Sequence, residues 1–256
     1  MPALRVLQLT DTHLFAAEDA TLLGVDTGAA LRLVCHQAAE QYGSPDLVLA
    51  TGDLAHEGEP GAYERFLAMM EEYFEAPVAW VPGNHDSGPI MAEHAATVRH
   101  DFRNEAWEFV LLDSHIEGEV PGRLGTEELD RLANVLETST REHVAIALHH
   151  HLLPIDADWL DEQRVSNADA LLDVVVGDGR IRLIVCGHVH QELDAEWRGI
   201  RLLASPATCF QFMPRSVGFT LDVRAPGCRW LELYEDGTFF TEVSRVEEFE
   251  LPAALR

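Results

Sequence analysis

Residues 181–190 read Ile181-Arg182-Leu183-Ile184-Val185-Cys186-Gly187-His188-Val189-His190, a short apolar run that stops at a glycine and two histidines one residue apart. A run of that length, rich in β-branched residues and bounded by glycine, predicts a buried strand. The same arrangement recurs along the chain. Leu4 to Leu9 ends at Thr10-Asp11-Thr12-His13, and residues 46–50 end at Thr51-Gly52-Asp53. Residues 78–81 end at Pro82-Gly83-Asn84-His85-Asp86, and residues 144–148 end at His149-His150-His151. Helix-like stretches at 27–42, 62–74, 126–136 and 167–176 separate these runs, and Glu127 and Glu128 suit a first helical turn. Strands alternating with helices predict an α/β layered fold. In such folds the loops at the carboxyl ends of strands gather along one edge of the sheet. Polar clusters far apart in sequence are thereby expected at one place.

The last quarter of the chain differs. Residues 202–204, 219–223, 230–234 and 238–243 read as strands with no helix between them, and Glu235-Asp236-Gly237 is a good hairpin turn. The expectation is a second, more antiparallel sheet, completed by strands in about 200–245, within a single domain spanning 1–245. Residues 246–256 read as a loosely held tail.

Composition removes several function classes. The chain has 256 residues, 47% of them hydrophobic, enough for one well-filled core. Acidic residues number 44 against 18 bases, all of the bases are arginine, and the net charge is −26. Nucleic acid and anionic membranes are therefore not expected as partners. An anionic substrate would need bound cations to reverse the local field. The excess acid reads as a solvated surface, with adaptation to high salt as the alternative. No apolar run approaches a membrane span, and the N-terminus does not read as a signal peptide. Cys35, Cys186, Cys209 and Cys228 lack CxxC spacing and read as reduced thiols of a cytoplasmic protein.

The strand-end clusters supply Asp11, His13, Asp53, Asn84, His149, His188 and His190. Imidazoles and oxygens without thiolates suit Mn, Fe, Zn or Co. Asp11 and His13, like His188 and His190, are two apart on extended chain. Asp53 has two oxygens with which to bridge two ions, and Asn84 adds an oxygen without charge. Asp86 is a candidate for orienting a histidine or simply a turn residue. His36, His56, His94, His100, His115 and His143 match no motif, and Cys186 reads as core filling.

The order D-x-H, G-D, G-N-H-D, H, G-H-x-H over residues 6–190 resembles the calcineurin-like metallophosphoesterases. The stretches LQLTDTHLF (7–15), LATGDLA (49–55), WVPGNHD (80–86), LLDSHIEG (111–118), ALHHHLLP (147–154), CGHVHQELD (186–194) and RLLASPATCFQF (201–212) resemble the class III, bacterial cyclic AMP branch of that superfamily. The resemblance implies a four-layer αββα sandwich of two mixed sheets. It implies two metal ions, one held by Asp11, His13 and His190, the other by Asn84, His149 and His188, with Asp53 between them. His149 is preferred to His150 as ligand because the ligand comes first after the strand in this family. The usual proline pair after it is replaced here by His151-Leu152-Leu153-Pro154.

The implied reaction is attack of a metal-bridging hydroxide on the phosphorus of 3′,5′-cyclic AMP, giving 5′-AMP. His85 is the implied proton donor, and His13, Asp53, Asn84 and His85 face the phosphate. Two alternatives stay open: another small diester, such as a 2′,3′-cyclic nucleotide or a glycerophosphodiester, and a metal-binding sensor that has lost turnover. The complete donor set disfavours the sensor. Residues 22–27, 156–160 and 205–212 are implied to line the base pocket, with Trp159 and Phe210 equally readable as core. A homodimer is left open.

Overall fold

A computed structural model describes residues 3–94, 101–247 and 249–252; His100, the first two residues and residues 253–256 lie outside it. The chain begins β1 (Leu4–Leu9), α1 (Thr27–Tyr42), β2 (Leu47–Ala50), α2 (Pro60–Tyr73) and β3 (Val78–Trp80). It continues α3 (Gly88–Glu93), β4 (Asp101–Arg103), β5 (Trp107–Leu111), α4 (Thr126–Thr138), β6 (His143–Ala147), α5 (Asp158–Asp161), α6 (Ala168–Val175) and β7 (Ile181–Cys186). The strands β8 (Leu193–Trp197), β9 (Ile200–Ala204), β10 (Gln211–Phe212), β11 (Leu221–Asp222), β12 (Gly227–Leu233) and β13 (Phe239–Arg245) complete it. Local signals explain the boundaries. Asp26 caps α1 by accepting a hydrogen bond from Ala29 N at 2.8 Å, and Gly43, at φ 74°, ends that helix in a conformation other residues avoid.

Two mixed sheets form, one of order β13-β12-β1-β2-β3 and one of order β4-β5-β6-β7-β9-β8. Strands β1, β2 and β3 are parallel, as are β5, β6, β7 and β9, so their exit loops share one edge. The pair β10 and β11 stands apart as a small hairpin.

The C-terminal expectation needs correction. The strands of 200–245 do not build one sheet. β9 extends the sheet of β6 and β7, while β12 and β13 pair antiparallel onto β1. The described part of the tail, 246–247 and 249–252, is also anchored: Val246 and Leu251 are buried, at 6% and 5% exposure, against the helical layer and the Val25–Phe210 cluster.

Alternation along each strand makes the four layers. Leu4 and Val6 of β1, with Leu47 and Leu49 of β2, face inward between the sheets, where they meet Ala145, Ala147, Leu183 and Val185. Leu7, Leu9, Val48 and Ala50 face α1 and α2. Val144, Ile146, Ile181 and Ile184 face α4 and α6. Strands buried on both faces must be apolar throughout, which is why they read as continuous runs. Polar side chains interrupt the middle layer, Gln8 of β1 and Arg229 of β12 among them. Gln8 Nε2 donates to Thr51 Oγ1 at 2.8 Å and to Cys186 O at 2.9 Å, tying the two sheets together at the edge where their loops emerge. Among the described residues no helix is long and apolar enough to cross a membrane.

Candidate metal centre

The loops leaving β1, β2, β6 and β7 are stitched to one another. Asp11 N donates to Gly52 O and His13 N to Asp53 O, each at 2.9 Å, and Gly187 N donates to His149 O at 2.9 Å. Asp11, His13, Asp53, His188 and His190 all adopt left-handed backbone, with φ between 45° and 67°. Such a conformation costs a non-glycine residue about 1–3 kcal/mol and persists where surroundings enforce it. Its concentration here turns both members of each D-x-H or H-x-H pair into one space. The neighbouring glycines are spacers. A Cβ on Gly83 would lie 2.2 Å from Asp53 Oδ1, and one on Gly187 would lie 1.9 Å from Thr10 Oγ1.

The donors converge. His13 Nε2 lies 3.3 Å from His190 Nε2 and 3.7 Å from Asp53 Oδ2. His190 Nε2 lies 3.4 Å from Asp11 Oδ1. On the other side of Asp53, His149 Nε2 lies 3.4 Å from Asp53 Oδ2 and 3.3 Å from Asn84 Oδ1. The ligand atoms of Asp11, His13 and His190 fall within 4.8 Å of one another, as do those of Asp11, Asp53 and His149, and those of His149, His150 and His188. All the candidate ligands are buried except Asn84, which is half-buried.

Several observations fit this cluster to metal ions. His149 Nδ1 donates to Thr51 O and His190 Nδ1 to Phe210 O, both at 2.8 Å, which turns each Nε2 inward and makes it the atom a metal would take once its proton is displaced. His188 Nε2 is buried without a hydrogen-bond partner, a costly state for a polar atom that a cation would relieve. The charges demand positive compensation as well. Burial opposes ionisation of Asp11 and Asp53, yet the neighbouring imidazoles keep both carboxyls below their ordinary range. Among the described residues, the ion pairs made by these two carboxylates are with histidine alone. In return, against the effect of burial, Asp53 raises His149 to about 9 and Asp11 holds His190 well above its usual value. Burial pushes His13 down to about 3 and His188 well below 6.5, leaving them neutral donors.

The alternative histidine is engaged elsewhere. His150 Nε2 donates to Val120 O at 3.0 Å and its Nδ1 pairs with Ser114 Oγ at 2.8 Å. His85 is half-buried at the rim; its N donates to Asp53 Oδ1 and its Nδ1 to His56 O, at 2.8 and 3.0 Å.

Two residues acquire roles that motifs alone did not give. His56, which matched no motif, stacks on His85 at 4.8 Å between ring centroids and lies with its Nδ1 3.3 Å from His13 Nδ1. Asp86 orients backbone, not a histidine. It accepts from Leu54 N, Ala55 N and Gly83 N and from Tyr63 Oη, clamping the Asp53 loop to the Asn84 loop. Burial, with the Asp53 charge, raises Asp86 to about 6. Of the two aromatics left open, Phe210 is buried against the His13 and His190 rings, and Trp159 is half-buried beside Phe212 and Phe219.

A profile of the calcineurin-like phosphoesterase family matches residues 4–192. The chain is 40% identical over 254 residues to a 3′,5′-cyclic adenosine monophosphate phosphodiesterase of Haemophilus influenzae, covering 97% of this chain and 92% of that one. It is 41% identical over 249 residues to the Escherichia coli K12 enzyme of the same name, covering 95% and 90%. Among solved structures, a dimetal phosphatase from Danio rerio superposes with a TM-score of 0.74 at 17% identity, covering 98% of each chain. That likeness speaks for the fold.

Proposed function

The chain belongs to the calcineurin-like phosphoesterase family, and on that premise we propose that it is a metal-dependent phosphodiesterase that hydrolyses 3′,5′-cyclic AMP to 5′-AMP. The observation that carries the reading is the convergence of Asp11, Asp53, Asn84 and four histidines on one buried point, with Asp53 reaching donors on both sides. The family and its full-length cyclic AMP phosphodiesterase relatives support the substrate.

One ion would be held by Asp11, His13 and His190, the other by Asn84, His149 and His188, and Asp53 would serve both. Fe, Mn, Zn and Co all suit these donors. Such ions supply Lewis acidity at the phosphoryl oxygens and bring the pKa of bound water into the neutral range. Hydrolysis adds the oxygen of water to phosphorus and breaks the bond to O3′, which must gain a proton. His85 is the chain's candidate donor. Its Nδ1 proton is committed to His56 O, so exchange is confined to Nε2. The substrate's phosphate is expected against His13, Asp53, Asn84 and His85. The four cysteines are free and buried, which supports a cytoplasmic enzyme.

Chromatography of the products tests the reading. Metal-loaded protein should release 5′-AMP from 3′,5′-cyclic AMP with kcat/KM well above that for 2′,3′-cyclic AMP or a glycerophosphodiester. A preference for either of the latter would replace the proposed substrate.

A further inference from the structure

Beside the donor cluster lies an aromatic patch whose chemistry the hydrolysis itself does not use. Phe212 of β10 stacks face to face on His190, with centroids 4.1 Å apart and planes at 17°. Trp159 of α5 meets the Phe212 ring at 5.0 Å and the Phe219 ring at 5.5 Å, in both cases edge to face, and Phe212 meets Phe219 at 5.4 Å in the same way. Phe219, in the turn between β10 and β11, keeps 57% of its surface exposed, and Val217 beside it keeps 80%. Isolated exposed apolar residues need no explanation, but a contiguous aromatic patch touching a buried polar site does.

The patch is built to stay in place. Phe212 N donates to His190 O at 3.2 Å and Met213 N to Thr220 O at 2.8 Å. The Trp159 indole N–H donates to Ser216 Oγ at 3.0 Å, tethering α5 to the same hairpin. That bond consumes the only polar atom of the Trp159 ring, so the ring offers a face and no hydrogen bond.

We propose that Phe219, braced edge to face by Trp159 and Phe212, presents the platform on which the nucleobase of the substrate stacks, and that this platform selects nucleotides over diesters lacking a base. The proposal rests on the cyclic-nucleotide reading above. Its occupant follows from continuity: His190 turns Nε2 towards the phosphate side and its ring face towards Phe212, so the patch begins one ring away from the reacting group, as a base lies one sugar away from its phosphate. A neutral planar base also suits the exposed Phe219 ring better than a charged group does. Aromatic stacking is tolerant of which base is bound, so the platform sets a preference for nucleotides as a class.

Calorimetric titration of the metal-loaded protein tests this with two probes that differ only in the base. Wild type should bind 5′-AMP about 5- to 150-fold more tightly than ribose 5-phosphate, the worth of one stacked base. Phe219→Ala removes an exposed side chain and should bring that ratio several-fold closer to unity, whereas Phe219→Tyr should retain it. Leu33→Ala, an apolar substitution of similar exposure on α1, should keep the wild-type ratio. Equal affinity of wild type for the two probes, or no binding of 5′-AMP, overturns the platform. So does a concentration-dependent doubling of mass that Phe219→Ala abolishes while the two probes bind alike, an outcome that would give the patch to a second copy of the chain. A base preference in protein that leaves 3′,5′-cyclic AMP intact would instead refute the proposed reaction and leave the platform standing.

Discussion

Leu183 and His188 lie on one strand and its exit loop, and both are shielded from water, at 0% and 5% exposure. Their surroundings could hardly differ more. Leu183 sits among leucines, valines and alanines contributed by both sheets. His188 is in a left-handed backbone conformation with an unpartnered Nε2, between His149, His150 and His151. Burial stabilises the first residue and penalises the second. Natural chains keep local conflicts of that kind where function requires them. The layers behind therefore hold the molecule together, and the loops in front spend part of that stability to keep donors aimed and poorly satisfied. Each of the following experiments separates the two regions or shows that they cannot be separated.

The largest effect is expected from removing the ions. Chelation should abolish turnover while circular dichroism stays close to that of the loaded protein, because the donors stand on loops and the strands carry the apolar burial. Residual full activity in verified metal-free protein would end the metal-dependent mechanism, and loss of the fold would make the ions structural. The stabilisation given by the metal should also depend on pH. In the ion-free site His149 is raised to about 9, above its usual 6.5. Its protonated form contributes stability that is fully present below pH 6.5 and is lost as pH rises through about 9. The same proton competes with a metal for Nε2. Both effects have one sign, so the gain in Tm on adding metal should grow between pH 6.5 and 9. A gain that shrinks over that interval would show that other groups control the linkage.

Next in size is His85→Ala, expected to lower kcat by about 10²–10⁴, the range for a general acid. Both metals should be retained in elemental analysis, since His85 faces the cluster from its rim. A lost ion would make His85 a ligand. Recovery with a p-nitrophenolate leaving group, which needs no proton, would identify the step it serves.

Asp86→Asn should have a smaller effect. Its carboxylate accepts from three backbone N–H groups and the Tyr63 hydroxyl, and an amide cannot accept at both of its ends. Loosening the clamp between the Asp53 and Asn84 loops should weaken metal affinity by about 10–100-fold, as loss of an outer support does at other metal sites. The effect belongs in affinity, so saturating metal should restore most of kcat. A kcat that stays low at saturation would place Asp86 closer to the chemistry than its contacts suggest.

Much of the donor cluster was legible in sequence because both of its ingredients are local. An apolar run that stops at a glycine and a polar pair predicts a strand and its exit, and parallel order brings such exits together. The bounds of β1, α1 and β7 follow directly from residue pattern. Sheet membership was not legible. The pairing of β12 with β1 joins Leu7 to Trp230 across most of the chain, and strand periodicity carries no record of which neighbour a strand will choose. β8, an edge strand of alternating half-buried and exposed residues, has a polar pattern that hides it. His56 escaped for another reason: it has no motif, and its place beside His13 and His85 arises from the path of the loop after Asp53. Val246, Phe249 and Leu251 read as tail residues because three apolar side chains spaced among acids give no strand or helix period.

Leu183→Ala supplies the reverse experiment, with the smallest effect on activity. The side chain is wholly buried between the sheets, and truncating such a leucine costs about 2–5 kcal/mol through lost transfer energy and the cavity left behind. At about 2–4 °C per kcal/mol for a domain of this size, Tm should fall by roughly 4–20 °C. Strand rise of about 3.3 Å per residue places Leu183 some 10 Å below Cys186, where the strand ends. Changes separated by that distance usually act independently. Between the cavity and the site stand Gln8, bonded to Thr51 and Cys186, and the bond from Gly187 N to His149 O, all of which the substitution leaves in place. Metal stoichiometry should therefore be unchanged, and kcat/KM at 25 °C should stay within about twofold of wild type. Calorimetry, elemental analysis and kinetics on the same preparation decide the matter. A variant that melts early yet turns over normally would confirm that the layers stabilise a site they do not tune. A variant that keeps its Tm but loses a metal would show the donors to be strained through the sheets themselves, and the distinction between Leu183 and His188 would no longer hold.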